Sequence, residues 1–330
     1  MDLDVLFLGT AASAPTARRS VAATLIRRGG ERILVDCGEG TQRQLMTSAW
    51  GLAELDLVLL THPHGDHVLG LPGLLKTLSL RERTAPLRVA GPAGTRALLR
   101  ALAPLVGRLS YATDVVELGA GAQLGGDGYR IEAVPTVHSV PSVGYALVEE
   151  DRRGRFDAEE AARRGVPFGP LFGELQRGRD VTLADGSVVA AAGIVGEDRA
   201  GRRVVLSGDT RPCDAILAAS VNADLLVHEA TFLDEDLARA RETRHSTARE
   251  AAELAAEAGV DLLCLTHVST RYPASAIKAE ARSIHEDVEV PRDFDLVAVP
   301  YRERGRPELV RGGGRDGAEP ANPPVGAVVP

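Results

Sequence analysis

The chain has 330 residues, of which 44% are hydrophobic and 25% charged, and its formal net charge is −8. This is the composition of a globular protein with ample chain for a core, and the acidic balance argues against a protein that simply coats nucleic acid. No apolar run is long enough to span a bilayer, no signal peptide precedes the first apolar segment, and the 3 cysteines suit a reducing compartment, so we expect a cytoplasmic protein without membrane association.

Short apolar runs along the chain predict buried strands. The run at 5–8 and the hairpin-like pair at 23–28 and 33–36, joined by Gly29 and Gly30, predict antiparallel strands at the start. Later runs each end shortly before a residue that can bind a metal: 56–60 before His62, 129–134 before His138, 203–206 before Asp209, 223–227 before His228, and 261–265 before His267. We therefore expect polar groups to gather at the carboxyl ends of these strands.

Two phrases nearly repeat one another, Asp-Leu-Val-Leu-Leu-Thr-His at 56–62 and Asp-Leu-Leu-Cys-Leu-Thr-His at 261–267. They suggest two pseudo-equivalent halves, with one sheet per half and the site at the seam. A helix is predicted at 248–258, where Thr247 and Glu250 form a capping box and Gly259 ends the run. Strands that alternate with such helices imply helices on the outer faces of the sheets.

Two segments depart from this pattern. The segment 151–180 has no clean period and carries seven arginines against four carboxylates between 152 and 179, so it is predicted to be a flexible insertion that extends from the body. The final residues, 312–330, are rich in Gly, Pro and Ala and are predicted to be a disordered tail. The expected organisation is one catalytic domain over 1–311, with the insertion inside it.

Residues 61–67 read Thr-His-Pro-His-Gly-Asp-His and place four potential metal ligands, His62, His64, Asp66 and His67, within six positions. Collecting these side chains in one loop would be costly unless they share a cation. Seven of the 8 histidines lie at predicted strand ends or in the loops that follow, whereas His285 has the setting of an ordinary surface residue. The spacing also lets alternate residues face one ion while the last Asp-His pair turns toward a second. A two-metal hydrolase is the first hypothesis.

This cluster, the isolated His138, Ser-Gly-Asp-Thr at 207–210 and Leu-Thr-His at 265–267 together resemble the metallo-β-lactamase superfamily. The resemblance implies an α/β fold, the αββα sandwich, with two zinc ions between its sheets. By position, it implies that one zinc is bound by His62, His64 and His138, that the other is bound by Asp66, His67 and His267, and that Asp209 bridges both. Nitrogen and oxygen ligands suit zinc and leave manganese or iron open.

The chemistry of such a pair would be hydrolysis by a shared hydroxide, with two ions roughly 3.5–4 Å apart. Asp66 would then be catalytic as well as a ligand, because it could orient or deprotonate the nucleophile. Asp36 has two open interpretations, a carboxylate that orients a metal ligand or a residue of the turn after a strand.

Four further runs resemble, within that superfamily, the ribonuclease Z family, whose members remove 3′ trailers from tRNA precursors. They are Asp-Cys-Gly-Glu-Gly-Thr-Gln-Arg-Gln-Leu at 36–45, Val-Leu-Gly-Leu-Pro-Gly-Leu-Leu at 68–75, His-Glu-Ala-Thr-Phe at 228–232 and His-Ser-Thr-Ala-Arg-Glu-Ala-Ala-Glu-Leu-Ala at 245–255. The resemblance covers about residues 3–302. It implies that His245, with Glu229 as its carboxylate partner, protonates the leaving 3′ oxygen, and that the protein is a homodimer. His245 as a plain helix-start residue and His228 as a structural residue stay open.

The family's long arm carries a Gly-Pro motif that clamps the tRNA elbow, and Gly169-Pro170 is similar to it. The resemblance makes Gly169, Pro170, Arg163 and Arg164 candidate contacts to precursor tRNA, since arginines on an arm can neutralise phosphates far from the cleavage point. A solvated charged loop is the alternative. Further candidates for holding a phosphate or the last base are Arg18, Arg19, Arg271 and Tyr272, for each of which a surface salt bridge is the alternative.

The leading hypothesis is therefore a zinc-dependent endoribonuclease that leaves a 3′ hydroxyl on the tRNA and a 5′ phosphate on the trailer, with precursor tRNA as the one partner inferred. One alternative is a general zinc phosphodiesterase for small or cyclic nucleotide diesters, which would have no use for an arginine-rich arm. A second is a nucleic-acid-binding module with a degenerate site, which the full set of ligands argues against.

Overall fold

The computed structural model describes residues 1–52 and 55–312. The strands, in chain order, are β1 (Leu3–Gly9), β2 (Ala23–Arg28), β3 (Glu31–Val35), β4 (Leu57–Leu59), β5 (Leu87–Gly91), β6 (Thr113–Glu117), β7 (Gln123–Gly126), β8 (Tyr129–Pro135), β9 (Val143–Glu149), β10 (Val181–Thr182), β11 (Val188–Val189), β12 (Arg203–Leu206), β13 (Leu225–Glu229), β14 (Leu262–Thr266), β15 (Val288–Glu289), β16 (Leu296–Ala298) and β17 (Glu308–Val310).

The helices, in chain order, are α1 (Thr41–Thr47), α2 (Gly65–Val68), α3 (Leu71–Leu80), α4 (Thr95–Val106), α5 (Ala158–Arg163), α6 (Pro170–Gln176), α7 (Asp214–Ser220), α8 (Leu237–Thr243), α9 (Ala248–Ala258) and α10 (Ala274–Arg282). Short 3-10 turns cover Asp234–Asp236 and Arg302–Arg304. None of the helices in the described ranges is long and apolar enough to cross a membrane.

Two sheets form the centre of the described molecule. The first has the order β17-β16-β1-β2-β3-β4-β5-β6 and the second the order β15-β14-β13-β12-β9-β8-β7. Strands β3 to β6 run parallel in the first sheet, as β12 to β15 do in the second. Because parallel strands deliver their carboxyl ends to the same edge of a sheet, each sheet gathers several loops at one edge.

Three hydrophobic clusters define four layers. One lies between the sheets and joins residues such as Val5 and Val35 of the first to Leu206 and Val227 of the second. On the outer face of the first sheet, Leu6 and Leu34 pack against α3 and α4. On the outer face of the second, Val205 and Leu263 pack against α7, α9 and α10. Alternate strand residues thus face opposite layers, and the predicted αββα sandwich is confirmed.

The helix predicted at 248–258 is confirmed with its boundaries. The Thr247 side chain accepts the amide of Glu250, whose carboxylate accepts the Thr247 amide, and Gly259 ends α9 in the left-handed conformation at φ 66°. The strands predicted at 23–28 and 203–206 also match β2 and β12, while the others differ by one or two residues at one or both ends.

The expectation of one sheet per half is wrong at the carboxyl end of the chain. Strands β16 and β17 return to the first sheet, where β16 pairs antiparallel with β1 and places Val297 opposite Val5. The near-repeat itself holds, because a Thr-His pair lies close to the carboxyl end of each strand: Thr61-His62 two residues after β4 in the first sheet, and Thr266-His267 at the end of β14 in the second. Covering β1 leaves its apolar side chains buried instead of at an open edge.

The segment between β9 and β12, residues 150–202, is called the arm below. It contains α5, α6 and the hairpin β10-β11, and its side chains form a hydrophobic cluster of their own, which includes Ala161, Val166, Leu175 and Ile194. The cluster continues past residue 180, so the insertion is longer than the sequence indicates. Over 150–202 nine arginines face ten carboxylates, so the excess of positive charge at 152–179 is confined to that part of the arm. The tail predicted at 312–330 lies, apart from Gly312, outside the described residues.

Candidate active site

The seven predicted metal ligands come together at the edge where both sheets end. His62 follows β4, α2 carries Asp66 and His67 directly after His64, His138 follows β8, Asp209 follows β12, and His267 follows β14. Their ligand atoms form groups in which all atoms lie within 4.8 Å of one another: His62 with His64 and His138, His62 with His67 and Asp209, and Asp66 with His67 and His267. The first and the last of these groups coincide with the two ligand sets that the sequence resemblance implies, and His245 joins two further groups, one with His138 and Asp209 and one with Glu229 and His267.

Three imidazole nitrogens face one another in the first set. His64 Nδ1 lies 3.0 Å from His62 Nε2 and 3.2 Å from His138 Nε2. Tetrahedral zinc with nitrogen ligands at 2.0–2.1 Å holds pairs of nitrogens roughly 3.3 Å apart. These two separations are therefore close to those that one bound ion would impose.

The hydrogen-bond partners of the rings assign which nitrogen faces inward. The Nδ1–H of His67 donates to Asp36 Oδ2 (2.7 Å), and the Nδ1–H of His138 donates to the carbonyl of Arg244 (3.2 Å). The Thr231 hydroxyl gives its own proton to Glu229 and accepts the Nδ1–H of His267 (2.8 Å). Each of these rings therefore turns its Nε2 atom toward the site, and in the neutral form of the ring that atom would offer the lone pair with which histidine binds a metal.

The Nε2 atom of His67 supports this assignment directly. It is buried and makes no hydrogen bond to any group in the described part of the chain, although it lies 3.5 Å from Asp209 Oδ2 and 3.6 Å from Asp66 Oδ2. A buried polar atom without a partner is costly. A cation between these groups would remove that cost, so the side chains fit a divalent metal.

Asp209 Oδ2 occupies the centre of the site. It lies 3.3 Å from His267 Nε2, 3.5 Å from His67 Nε2 and 3.7 Å from His62 Nε2. Burial raises the pKa of this carboxyl, but the charges of His267 and His67 outweigh burial and hold the pKa well below its usual value. A single carboxylate oxygen shared by histidines of both ligand sets is suited to a bridging position.

Asp36 and Thr61 support the ligands from behind. Asp36 follows β3 with φ 61°, and its carboxylate accepts the amide of Thr61 (2.8 Å), the Thr61 hydroxyl and the ring of His67. Burial lowers the pKa of His62 to about 2, and the neighbouring His67 acts in the same direction, so His62 is neutral at physiological pH. Asp36 is thus both a turn residue and the hydrogen-bond partner of a candidate ligand.

Glu229 and His245 form a pair beside the metal ligands. His245 Nδ1–H donates to Glu229 Oε1 at 2.7 Å, and the His245 ring stacks on the His267 ring with centroids 5.3 Å apart. Glu229 Oε1 also accepts the amide of Thr210 (2.9 Å). Burial lowers the pKa of His245, but the Glu229 charge outweighs it and raises the pKa to about 9. At neutral pH His245 therefore carries a proton that it can give away.

His228, which directly precedes Glu229 in the chain, has the contacts of a structural residue. The ring is fully buried, and its Nδ1–H donates to the carbonyl of Glu229 (2.8 Å). It is absent from the groups of converging ligand atoms found among the described residues. Burial lowers the pKa of His228, which keeps it neutral.

His285, predicted to be an ordinary surface residue, is half-buried, and burial lowers its pKa too.

Arg244 has a position that the sequence did not reveal. It adopts the left-handed conformation at φ 60° between α8 and His245, and its guanidinium donates to the carbonyl oxygen of His138 (2.7 Å) while its own carbonyl accepts the His138 ring. His138 is therefore held at two points by one residue. The contact spans 106 positions of sequence, so the only local signal is the arginine beside the His-Ser-Thr motif.

Two glycines allow the loop after β3 to pass close beneath α2. A Cβ added to Gly38 would lie 2.2 Å from the carbonyl oxygen of Asp66, and one added to Gly70 would lie 2.0 Å from that of Gly38. Only residues without a Cβ fit such approaches of one backbone to another. This contact fixes the segment that carries Asp66 and His67.

The remaining predicted substrate residues are not all near the ligands. The Arg19 guanidinium is half-buried and donates to Pro291 O (2.7 Å), and the Tyr272 hydroxyl donates to Asp236, so both serve structural contacts. Arg18 and Arg271 are exposed, in the segments that follow β1 and β14. Arg163 and Arg164 both form ion pairs with Glu160 in the arm. Gly169 and Pro170 lie at the start of α6, in the same arm, and not in the loops that carry the candidate ligands.

Comparison with known proteins agrees with this site. The family model of the Metallo-beta-lactamase superfamily matches residues 16–267. A ribonuclease Z of Gemmatimonas aurantiaca is 50% identical over 92% of this chain and 98% of its own, and one of Methanosarcina acetivorans is 47% identical over 91% and 99%.

Solved structures give the same result for the fold. The crystal structure of the short form of human tRNase Z has a TM-score of 0.65 and 28% identity, over 90% of this chain and 99% of its own. The metallo-beta-lactamase fold protein YhfI of Bacillus subtilis has a TM-score of 0.64 at 20% identity, over 91% and 100%, which is a likeness of fold. The sequence relatives and the site together lead to one conclusion: the chain belongs to the ribonuclease Z family of the metallo-β-lactamase superfamily.

Proposed function

We propose that this protein is a metal-dependent endoribonuclease that removes the 3′ trailer from precursor tRNA, leaving a 3′ hydroxyl on the tRNA and a 5′ phosphate on the trailer. One observation carries the proposal. Inward-facing imidazole nitrogens and the carboxylates of Asp66 and Asp209 converge beside the protonated His245–Glu229 pair. Metal ligands together with an oriented proton donor are what hydrolysis of a phosphodiester requires.

We propose zinc as the metal, with two ions per chain. His62, His64 and His138 would hold one, Asp66, His67 and His267 the other, and Asp209 would contact both, which matches the grouping of ligand atoms. Two such ions, when bound, supply a hydroxide at neutral pH and neutralise charge on the phosphate. Asp66 would also orient the nucleophile, and the contacts of its Oδ2 with the amide of Ser13 (2.9 Å) and with His267 Nε2 (3.3 Å) support this role.

The proton for the leaving 3′ oxygen would come from His245. Its ring lies beside both candidate metal sites, 5.1 Å from the ring of His138 and 5.3 Å from that of His267, measured between centroids. Glu229 fixes the ring through Nδ1, which leaves the opposite edge of the imidazole for substrate. The general acid and the ligands can therefore act on the same phosphodiester.

The arm would supply the contact to tRNA far from the scissile bond. Phe168, next to Gly169 and Pro170, is 93% exposed although its ring makes an edge-to-face contact with Phe172 (5.6 Å between centroids), so it presents a large apolar surface to solvent. Two carboxylates are each shared by two arginines, Glu160 by Arg163 and Arg164, and Glu174 by Arg177 and Arg179. These local clusters retain positive charge for phosphates although the arm as a whole has nine arginines against ten carboxylates. We also propose a cytoplasmic homodimer, which the family resemblance supports.

The test is cleavage of a 3′-extended precursor tRNA by the purified protein, with zinc and after removal of metal by a chelator. A single cut near the end of the acceptor stem, lost on chelation and restored by zinc, is the expected result. Hydrolysis of a small phosphodiester without cleavage of tRNA would instead support the general phosphodiesterase. Elemental analysis should find about two zinc ions per chain.

A further inference from the structure

The base of the arm is a short ladder. The amide of Arg152 donates to the carbonyl of Arg199 (2.8 Å), and the amide of Arg199 donates to the carbonyl of Arg152 (2.7 Å). Beneath this pair, at the ends of the sheet strands, the amide of Glu149 donates to the carbonyl of Arg202 (2.9 Å). In the described ranges the hydrophobic cluster of the arm shares no residue with the three clusters of the sandwich. The direction of the arm therefore depends on what holds this ladder.

The segment that follows β16, which contains Tyr301 and Glu303, contacts the ladder. The ring of Tyr301 lies between two guanidinium groups, 3.4 Å from that of Arg152 and 4.0 Å from that of Arg202, measured to the ring centroid. Glu303 accepts both terminal nitrogens of Arg152 (2.8 and 3.0 Å) and one from Arg199 (3.0 Å). One ring and one carboxylate thus contact both strands of the ladder.

The segment that contains Tyr301 and Glu303 is itself hydrogen-bonded to the sandwich. It follows β16, and between Tyr301 and Glu303 the guanidinium of Arg302 donates to Asp224 Oδ1 (2.9 Å) at the start of β13. The lower end of the ladder is fixed by a buried ion network, in which Glu149 accepts Arg202 (2.7 and 2.8 Å) and Arg28 (2.8 Å). Arg202 also donates to the carbonyl of Val299 (2.8 Å). Tyr301 and Glu303 therefore lie in a segment that is itself bound to the sandwich through Asp224.

We propose that Tyr301 and Glu303 are positioning residues that set the direction of the arm, so that a substrate held by the arm reaches the metal site. The proposal rests on the proposed function, because it needs a substrate that contacts both the arm and the cleft. Two contacts on one substrate reinforce each other only when the geometry lets both form at once. Fixing the base before binding lowers the cost of ordering the arm when the substrate arrives.

The proposal predicts a difference between large and small substrates. In Glu303→Ala and Tyr301→Leu, kcat/KM for precursor tRNA should fall on the order of 10-fold, mainly through a higher KM, because the two contacts no longer form together. Hydrolysis of bis(p-nitrophenyl) phosphate, which is too small to contact the arm, should keep its wild-type kcat and KM. The variant Tyr301→Phe should behave like the wild type, because it retains the ring that contacts the two guanidinium groups.

A readout that does not depend on activity accompanies the kinetics. Hydrogen exchange at the amides of Arg152 and Arg199 should speed up in Glu303→Ala, while amides of β10 and β11 inside the arm keep their protection. Glu308→Ala, an exposed carboxylate of the same terminal segment in β17, is the matched control and should change neither measurement.

Each outcome decides one question. Unchanged cleavage of precursor tRNA despite faster exchange at the ladder would overturn the positioning role, and so would equal losses on both substrates, which would indicate general destabilisation. Unchanged exchange at the ladder would show that these side chains do not hold it. A wild-type protein that leaves precursor tRNA intact while it hydrolyses the small diester would overturn the proposed function instead.

Discussion

The Nδ1 atom of His245 lies 2.7 Å from Oε1 of Glu229, and this contact determines the protonation of the ring. Burial lowers the pKa of His245, but the Glu229 charge raises it from its ordinary value of 6.5 to about 9. The protonated ring, and the stability that the pair contributes, are therefore fully present below pH 6.5 and lost as the pH rises through about 9.

Glu229→Gln should move the alkaline limb of the pH profile of kcat to lower pH, because the neutral amide no longer stabilises the imidazolium. The amide can still accept the Thr210 amide and contact Thr231, so the local structure should persist. The measurement is kcat on precursor tRNA across the alkaline range, with Glu308→Gln as the charge control. An alkaline limb that stays in place would remove Glu229 from this role.

His245→Ala should slow cleavage by about 10²–10⁴-fold, the usual contribution of a positioned general acid. Zinc content should not change, because the ring is assigned to neither ligand set. Single-turnover kinetics and elemental analysis of the same preparation test both statements. Loss of zinc would make His245 a ligand and overturn the division of roles.

Asp209→Ala should abolish cleavage while tRNA binding persists. The substitution removes the oxygen that lies between His67, His267 and His62, so the ligands of both candidate sites lose their shared negative charge. Elemental analysis should find less zinc per chain, whereas filter binding should find an unchanged affinity for tRNA. Turnover close to wild type would show that no bridging carboxylate is needed.

Arg244 allows two effects to be separated by two substitutions. Both Arg244→Gly and Arg244→Ala remove the guanidinium that holds the His138 carbonyl, so both should lower zinc affinity by roughly 10-fold or more. Of the two variants, only Arg244→Ala keeps a Cβ in the left-handed conformation, which costs about 1–2 kcal/mol. The Arg244→Gly variant should therefore melt at the higher temperature. Competition with a chromophoric zinc chelator and thermal unfolding give the two values. Wild-type zinc affinity in both variants would contradict the role of the guanidinium.

Gly70→Ala should lower the free energy of unfolding by about 1–3 kcal/mol, because the added Cβ would push the turn between α2 and α3 away from the loop after β3. The new atom would lie 2.0 Å from the Gly38 carbonyl oxygen. Gly30→Ala is the matched control, since nothing lies within 4 Å of its added Cβ. Denaturant unfolding measures both, and equal stabilities would show that the backbone contact is dispensable.

The features that the sequence predicted correctly depend on neighbours in the chain. Helix α9 was predictable because its cap, its apolar face and its terminal Gly259 lie within thirteen residues. The family resemblance likewise rests on short motifs, and it named every member of the converging ligand groups. His62 and His267 could be placed from the strand that precedes each of them.

The features that the sequence did not predict depend on distant pairs. The pairing of Val5 with Val297 joins the two ends of the sandwich, and no local pattern distinguishes it from other apolar pairs. Arg19 was a plausible phosphate ligand until the structure placed its guanidinium on Pro291, 272 positions away. The arm was underestimated because β10 and β11 have only two residues each, too few to show an alternating pattern.

The separate hydrophobic cluster of the arm has a consequence for how such proteins evolve. Because Ala161, Leu175 and Ile194 pack among themselves, the sandwich keeps a complete core when the arm changes in length or sequence. Mutations that alter what the arm recognises can accumulate without disturbing the residues that carry out hydrolysis. Preference for one RNA over another and the chemistry of the cut can therefore diverge at different rates within one gene.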